Sequence, residues 1–387
     1  MKLALAGLIG AAVLATGLLL LLRGGDDPPP PPPTTRPDRA PTPAPAATPR
    51  PRRPAVAYAP VTKTRLRKDL RRLRPRLYVP NSDAGTVDVI DARRMRVVRR
   101  MRVGSVPHHI TPSWDLRRLY VDNTGSNTLT ELDRRTGRIR RTIPVPDPYN
   151  LYFTPDGRRA VVVAERERRL DFRHPRSWRL VKSVPIPWPG GDHLDFSRDG
   201  RHLLVSAEFS GRVVRVRLRR PRVTGVARVG GLPVDVKADT SGRRFYVANQ
   251  ARGGVSVIDP RRMRETRFLR TGAGAHGLAL ARDPRYLYVS NRLAGSVSVI
   301  DTRRRRVRRT WKVGGSPDML QVSGDGRRLW YSNRFQGSVS ALDTRTGRVL
   351  RTIPTGRGAH GLTYYPQPGE FTVGHNGVYG VRLPWRR

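Results

Sequence analysis

The sequence predicts an all-β fold built as a circular array of four-stranded antiparallel sheets. The first observation is a repeat, because Asn249, Asn291 and Asn333 lie 42 residues apart and each ends a short β-branched and aromatic run. The same interval, to within one residue, meets Asn81, Asn123, Ala164, Ala207 and His375. The second observation is that apolar and polar residues alternate between turn residues in every copy, as they do in strands. A period in the low forties made of strands is typical of the blades of a β-propeller.

One copy shows the unit directly. We predict its four strands at residues 275–280, 286–291, 296–301 and 307–313. Turns between strands need a residue with a preset or positive φ, and Asp283 followed by proline supplies one in the first hairpin.

The number of copies predicts how the array closes. First strands start near residues 107, 148, 192, 233, 275, 317 and 359. We therefore predict a seven-bladed β-propeller of four-stranded antiparallel blades over residues 77–365, in which residues 359–364 pair beside residues 77–81 and leave no sheet edge open. Residues 366–387 would then be a C-terminal tail or degenerate closing strands. The alternative is an eight-bladed ring, with residues 57–73 supplying its missing strands.

The amino-terminal residues predict a membrane tether. Residues 3–22 form an unbroken apolar stretch of 20 residues, enough for a helix to cross a bilayer. No small-residue cleavage site follows, so residues 1–24 are interpreted as an uncleaved transmembrane signal anchor and residues 25–57 as a disordered Pro-rich linker. A basic lead-in, residues 58–76, follows. We expect a single-pass protein of the bacterial cell membrane with its propeller on the extracytoplasmic side; secretion after signal cleavage is the alternative.

The composition limits the partners. The chain has no cysteine, which excludes disulfides and thiolate metal sites, and its formal net charge is +45, from 75 Lys and Arg against 30 Asp and Glu. Such a surface attracts polyanions and anionic lipids, and a cell-envelope protein is a further candidate partner. No aromatic platform accompanies the charge, so the sequence does not favour specific nucleic-acid recognition. We expect a monomeric propeller.

Candidate site residues occupy equivalent repeat positions where each first strand begins. That position holds His108, Tyr149, Asp192, Val234, His276, Asp318 and His360, and the next holds His109, Asn150, His193, Asp235, Gly277, Met319 and Gly361. From these we predict a divalent metal site of His108, His276, Asp318 and His360, since three imidazoles and a carboxylate suit Zn²⁺, Cu²⁺, Mn²⁺ or Fe²⁺. We predict ligand-binding roles for His109, Asn150, Asp192, His193 and Asp235. The alternative is that these side chains only bond the backbone of neighbouring blades and fill the channel mouth.

A second set of equivalent positions directly follows the second strand of each repeat. These positions hold Ser82, Thr124, Glu165, Glu208, Gln250, Arg292 and Arg334. Arg292 and Arg334 are predicted to bind an anionic or zwitterionic ligand, and Glu165 or Glu208 would be the catalytic base if the protein is an enzyme. The two glutamates could equally pair with arginines of the rim and do nothing beyond that. The tail would deliver His375 to the same face.

Three segments of the repeat are Leu77-Tyr78-Val79-Pro80-Asn81, Gly295-Ser296-Val297-Ser298-Val299-Ile300-Asp301 and Gly358-Ala359-His360-Gly361-Leu362. In these segments the chain resembles the YVTN-repeat, or YncE-like, β-propellers. The resemblance covers residues 77–365 and is specific for fold rather than function. The second and third blades depart from it, with Ala164-Glu165 and Ala207-Glu208 in place of the terminal Asn and its neighbour.

Two functions are consistent with these observations. The first is a membrane-tethered extracytoplasmic binding or scaffold module with a ligand or metal site in its central funnel. The second, implied by the resemblance to seven-bladed lactonases, is a metal-assisted hydrolase of a lactone or other cyclic ester.

Overall fold

The computed structural model describes residues 57–62, 64–375 and 377–383. The predicted signal anchor, residues 1–24, and all but the last residue of the predicted linker lie outside these ranges. Within them, no helix has the length and apolar character that a membrane crossing needs.

The described residues form strands joined by tight turns, with three short 3-10 turns at Lys68–Leu70, Thr124–Ser126 and Glu208–Ser210. The first sixteen strands are β1 Tyr58–Pro60, β2 Arg76–Asn81, β3 Thr86–Asp91, β4 Arg96–Arg102, β5 Pro107–Pro112, β6 Arg118–Asn123, β7 Thr128–Asp133, β8 Ile139–Pro144, β9 Asn150–Phe153, β10 Ala160–Ala164, β11 Arg169–Arg173, β12 Leu180–Pro185, β13 Gly191–Phe196, β14 His202–Ala207, β15 Arg212–Arg217 and β16 Arg222–Arg228. The remaining strands are β17 Pro233–Ala238, β18 Phe245–Asn249, β19 Gly254–Asp259, β20 Arg264–Arg270, β21 Ala275–Leu280, β22 Tyr286–Asn291, β23 Ser296–Asp301, β24 Arg306–Lys312, β25 Pro317–Val322, β26 Arg328–Asn333, β27 Ser338–Asp343, β28 Val349–Pro354, β29 Thr363–Tyr365, β30 Phe371–Thr372 and β31 Tyr379–Arg382.

These strands form eight antiparallel sheets. Six are consecutive four-stranded meanders, from β5–β8 through β25–β28, and a seventh four-stranded sheet has the order β29-β2-β3-β4. The eighth has three strands in the order β1-β31-β30. The predicted all-β, propeller-like fold is confirmed, while the number of blades stays a prediction.

The ends of the ring meet as predicted. Tyr78 of β2 pairs with Thr363 of β29, and Asn81 forms an isolated bridge with Ala359. The innermost strands contact each other in sequence: β5 lies against β9, β13 against β10 and β17, β21 against β17 and β25, and β29 against β25 and β5. The first strands therefore enclose one central channel.

The repeated asparagine has a clear structural role. The Asn291 amide donates to the hydroxyls of Ser296, at 3.0 Å, and Ser298, at 3.1 Å, and so links the second strand of its sheet to the third. The same bond joins Asn81 to Thr86, Asn123 to Thr128 and Asn333 to Ser338. A hydrogen bond of this kind contributes about 1 kcal/mol, which explains why the sequence repeats the amide.

The fourth strands carry many of the arginines. In β4 the residues alternate between exposed and half-buried, and Arg96, Arg100 and Arg102 are exposed. Arg100 is paired with the buried Asp88 at 2.7 Å. The positive charge therefore includes a solvated outer rim, and polyanion binding by this rim stays a prediction.

The three-stranded sheet and the residues that follow β30 pack at the end of the channel where the first strands finish. The Phe371 ring stacks on Trp114, with ring centroids 5.5 Å apart, and the Phe153 amide donates to the Val373 carbonyl at 2.9 Å. Gly374 then forms an antiparallel bridge with Tyr152. The C-terminal segment thus runs into the channel and carries His375 with it.

Candidate metal centre

Most of the histidines converge inside the channel. The chain has 8 histidines. Six of them are buried together: His108, His109, His193, His276, His360 and His375. Their rings nearly touch, since the ring centroids of His109 and His375 are 4.1 Å apart and those of His108 and His360 are 4.2 Å apart. Residues from five strands or segments of the chain therefore meet at one place.

A bulge at the start of five of the first strands explains how neighbouring residues both enter this cluster. In β5 the pairing with β6 shifts between Pro107 and Ile110, so His108 and His109 have no Cα partner. The pairing shifts in the same way in β13, β17, β21 and β25. A bulge interrupts strict alternation, which otherwise sends consecutive side chains to opposite faces.

Within the cluster, two groups of three histidines bring their ligand atoms within metal-binding range. They are His108, His109 and His360, and His109, His193 and His375. In each group the candidate ligand atoms lie within 4.8 Å of one another. Three imidazoles with one open position is a common zinc ligand set.

Two buried carboxylates orient three of the imidazoles. Asp318 contacts Nδ1 of His276 at 2.9 Å and Nδ1 of His360 at 2.5 Å. Asp192 pairs with Nδ1 of His193. Carboxylates in this position fix the ring and its tautomer in metal sites and leave Nε2 free for an ion.

Many of the remaining ring nitrogens are buried without a hydrogen-bond partner. Among the described residues these include Nδ1 of His108, both nitrogens of His109, Nε2 of His193, Nε2 of His360 and both nitrogens of His375. Each buried, unsatisfied polar atom costs about 1–3 kcal/mol. The polar contacts made by the six rings run to Asp192 and Asp318 rather than to neighbouring backbone, so the alternative of purely structural histidines lacks its expected bonds.

Burial keeps most of these rings neutral, which is the form that binds metals. Burial and the neighbouring imidazoles hold the pKa values of His108, His109 and His375 well below the ordinary range. Burial lowers the pKa of His360 to about 3. His193 is the exception, because the Asp192 carboxylate outweighs burial and raises its pKa.

The predicted metal set is partly brought together. His276, Asp318 and His360 are in direct contact, and the His108 ring lies against the His360 ring at a tilt of 30°. Asp318 is also bound by Arg292, whose Nε donates to it at 2.9 Å. Burial acts to raise the pKa of Asp318, but Arg292 and the imidazoles hold it well below its ordinary value.

Some of the predicted ligand-binding residues make contacts within the fold. Asp235 accepts from Lys237 Nζ at 2.7 Å and from the Leu278 amide at 2.8 Å. Asn150 donates to the Asp192 carbonyl at 2.9 Å.

The two predicted arginines differ in how they are held. Arg292 binds Gln250 at 3.0 Å besides Asp318, whereas Arg334 lies 4.0 Å from Asp318 and is only half-buried. Of the two, Arg334 is the freer to meet an anion.

The two predicted glutamates are half-buried and directly follow the second strands β10 and β14. Burial and the adjacent Asp192 carboxylate raise the pKa of Glu208 to about 8. Burial and Asp147 raise the pKa of Glu165. Glu208 is therefore largely protonated at neutral pH and close to the buried Asp192–His193 pair.

We predict that Gly361→Ala displaces the His109 ring. A Cβ at this glycine would lie 1.9 Å from His109 Nδ1 and 2.7 Å from the His108 carbonyl oxygen. Overpacking of this kind costs about 1–3 kcal/mol, measurable as a lower free energy of unfolding in urea. The matched control is Gly191→Ala, where the nearest atom, on Val163, is 3.6 Å away and stability should change little. Equal stability of Gly361→Ala and the wild type would contradict the observed packing.

We predict that the metal-free protein loses stability as the pH falls below about 6.5, the ordinary histidine pKa. The lowered pKa of His360, about 3, means that the unfolded chain takes up its proton before the folded chain does. The stability contributed by the neutral imidazoles is therefore complete above pH 6.5 and declines towards pH 3, while His193 and Glu208, whose pKa values are raised, oppose the trend. Urea midpoints measured between pH 7.5 and 4.5 should fall less steeply for His375→Asn than for His174→Asn, a variant outside the cluster. Parallel slopes for the two variants would argue against neutral buried imidazoles.

The fold that carries this site is similar to the folds of known proteins. Similar solved structures include a functionally unknown protein from Desulfotomaculum acetoxidans (TM-score 0.66, 14% identity, covering 76% of this chain and 99% of that one) and a candidate 6-phosphogluconolactonase from Bacteroides fragilis (0.62, 15%, 76% and 98%). Apo AztD from Citrobacter koseri is also similar (0.54, 12%, 74% and 97%). At these identities the likeness extends to the fold alone, and the comparison with curated proteins gives no match. The profile of the YncE-like β-propellers matches residues 53–367, and the chain belongs to that family.

Proposed function

We propose that this protein is a binding propeller whose central channel holds a divalent transition metal ion on histidine side chains. The observation that carries the proposal is the convergence of buried imidazole nitrogens that lack hydrogen-bond partners, within 4.8 Å of one another. An ion about 2 Å from each nitrogen would satisfy atoms that otherwise destabilise the fold.

The chemistry of the donors favours particular metals. Neutral imidazoles suit Zn²⁺, Cu²⁺, Ni²⁺ and Fe²⁺, whereas Mg²⁺ and Ca²⁺ prefer oxygen ligands. The carboxylates of Asp192 and Asp318 contribute negative charge beside the rings, although Arg292 neutralises part of it at Asp318. We therefore infer selectivity for Zn²⁺ or Cu²⁺ over hard cations.

We propose seven blades, one for each four-stranded sheet, with the three-stranded sheet closing the far end of the channel. We also propose that the apolar residues 3–22 tether the propeller on the extracytoplasmic side of a bacterial membrane. A site at the open mouth would then face the envelope.

A second candidate function is metal-assisted hydrolysis of a cyclic ester. One observation favours it: the raised pKa of Glu208, about 8, suits proton transfer near neutral pH beside the histidine cluster. The assay is lactone hydrolysis by the Zn²⁺-loaded protein, in which Glu208→Gln should abolish turnover but keep metal affinity. If the Zn²⁺-loaded wild type does not hydrolyse lactones, the hydrolase function is refuted and only the binding function is supported.

We predict that the untagged protein binds Zn²⁺ or Cu²⁺ in the channel and that His109→Asn weakens this binding at least about 100-fold, beyond the 10–100-fold typical of losing an outer contact. Affinity is measured by competition with a chromophoric chelator, using His174→Asn as the matched control because His174 lies in an outer hairpin. Equal affinity of His109→Asn and the wild type would refute a channel site.

A further inference from the structure

We propose that the histidine cluster binds two metal ions, with the His109 imidazole bridging them. This inference rests on the proposed metal binding and extends it from one ion to a dinuclear centre. It derives from the arrangement of the two groups of three histidines, which share only His109.

The first step concerns the orientation of the shared ring. A Cβ on Gly361 would lie 1.9 Å from His109 Nδ1, so this nitrogen faces the chain segment that contains His360. On the other side of the cluster, the His109 and His375 ring centroids are 4.1 Å apart, and those of His109 and His193 are 5.1 Å apart. The two nitrogens of an imidazole point to opposite sides of the ring, so one can serve each group.

The second step concerns the orienting carboxylates, because each group has its own. Asp318 contacts Nδ1 of His360 in the first group, and Asp192 contacts Nδ1 of His193 in the second. In both residues Nε2 is buried and has no hydrogen-bond partner. With a single ion, one of the two histidines oriented by a carboxylate would have no metal to bind.

The third step is a count of available donors. The first ion would take Nδ1 of His108, Nδ1 of His109 and Nε2 of His360, and the second would take Nε2 of His109, Nε2 of His193 and a nitrogen of His375. Every one of these atoms is buried without a hydrogen bond in the described structure. Each ion then has three imidazoles and an open position for water or a substrate.

A bridging His109 must lose a proton when the second ion binds. A neutral imidazole holds one N–H proton, so His109 can bind two ions only as an imidazolate. Binding of the second ion therefore releases that proton to the buffer while both nitrogen lone pairs form metal bonds. The Asp192 and Asp318 carboxylates, one beside each ion, offset part of the added positive charge.

Stoichiometry tests the proposal on the full chain, with Zn²⁺ alone as the probe. After equilibrium dialysis, elemental analysis should find two equivalents in the wild type and in His174→Asn, and one in both His108→Asn and His375→Asn, each of which removes a ligand from one group only. One equivalent in the wild type would overturn the dinuclear centre and leave the proposed metal binding intact. No bound zinc would overturn both.

A second measurement needs no variant and so does not depend on altered proteins folding. Loaded with two equivalents of Cu²⁺, the wild type should show exchange coupling between the ions, seen as an electron paramagnetic resonance signal well below the intensity of two isolated Cu²⁺ ions. At one equivalent the signal should match one isolated ion. Two uncoupled signals of full intensity would overturn the bridge.

Discussion

Closure of the ring by the pairing of β29 with β2 is the constraint on which the rest of the structure depends. This pairing joins the start and the end of the repeat region and leaves the first strands of the four-stranded sheets around one channel. His108 and His360 are far apart in sequence, yet closure brings their ring centroids to within 4.2 Å of each other. The candidate metal centre therefore depends on the closure of the ring rather than on a local sequence motif.

The channel places the site under a second constraint, which is the cost of burying polar groups. Apolar clusters between adjacent sheets supply the stabilising burial, for example around Tyr152 and Phe196, and around Leu77 and Trp330. The central histidines contribute little of that kind, since many of their nitrogens are unsatisfied. A scaffold stabilised by its sheet interfaces can tolerate such a destabilised centre, and metal ions would recover part of the cost.

Much of the fold was predictable because its repeated residues have repeated physical roles. Asn291 links two strands through its amide, and Asp301 accepts the amides of Arg303 and Arg304 in the following turn, so both recur with the period of the sheets. Closure by residues 359–364 followed from the same period. The three-stranded sheet was harder to predict from the sequence, because β1 and β31 pair although they lie near opposite ends of the described chain.

The site was predictable only in part. His276, Asp318 and His360 were identified together since they occupy one repeat position, and they do meet. His109 and His193 were assigned to ligand binding rather than to metal, because strict strand alternation hides the bulge that turns consecutive residues into the channel. The 42-residue interval does fall on His375, but only the path of the tail through Gly374 brings it to the cluster.

The central claim is that buried imidazoles, and not surface groups, bind the metal. An X-ray absorption spectrum at the zinc edge of the Zn²⁺-loaded protein tests it most directly. The account predicts a shell of nitrogens at about 2.0–2.1 Å with the outer-shell scattering of about three imidazoles per zinc. A shell of oxygens without imidazole scattering would contradict it.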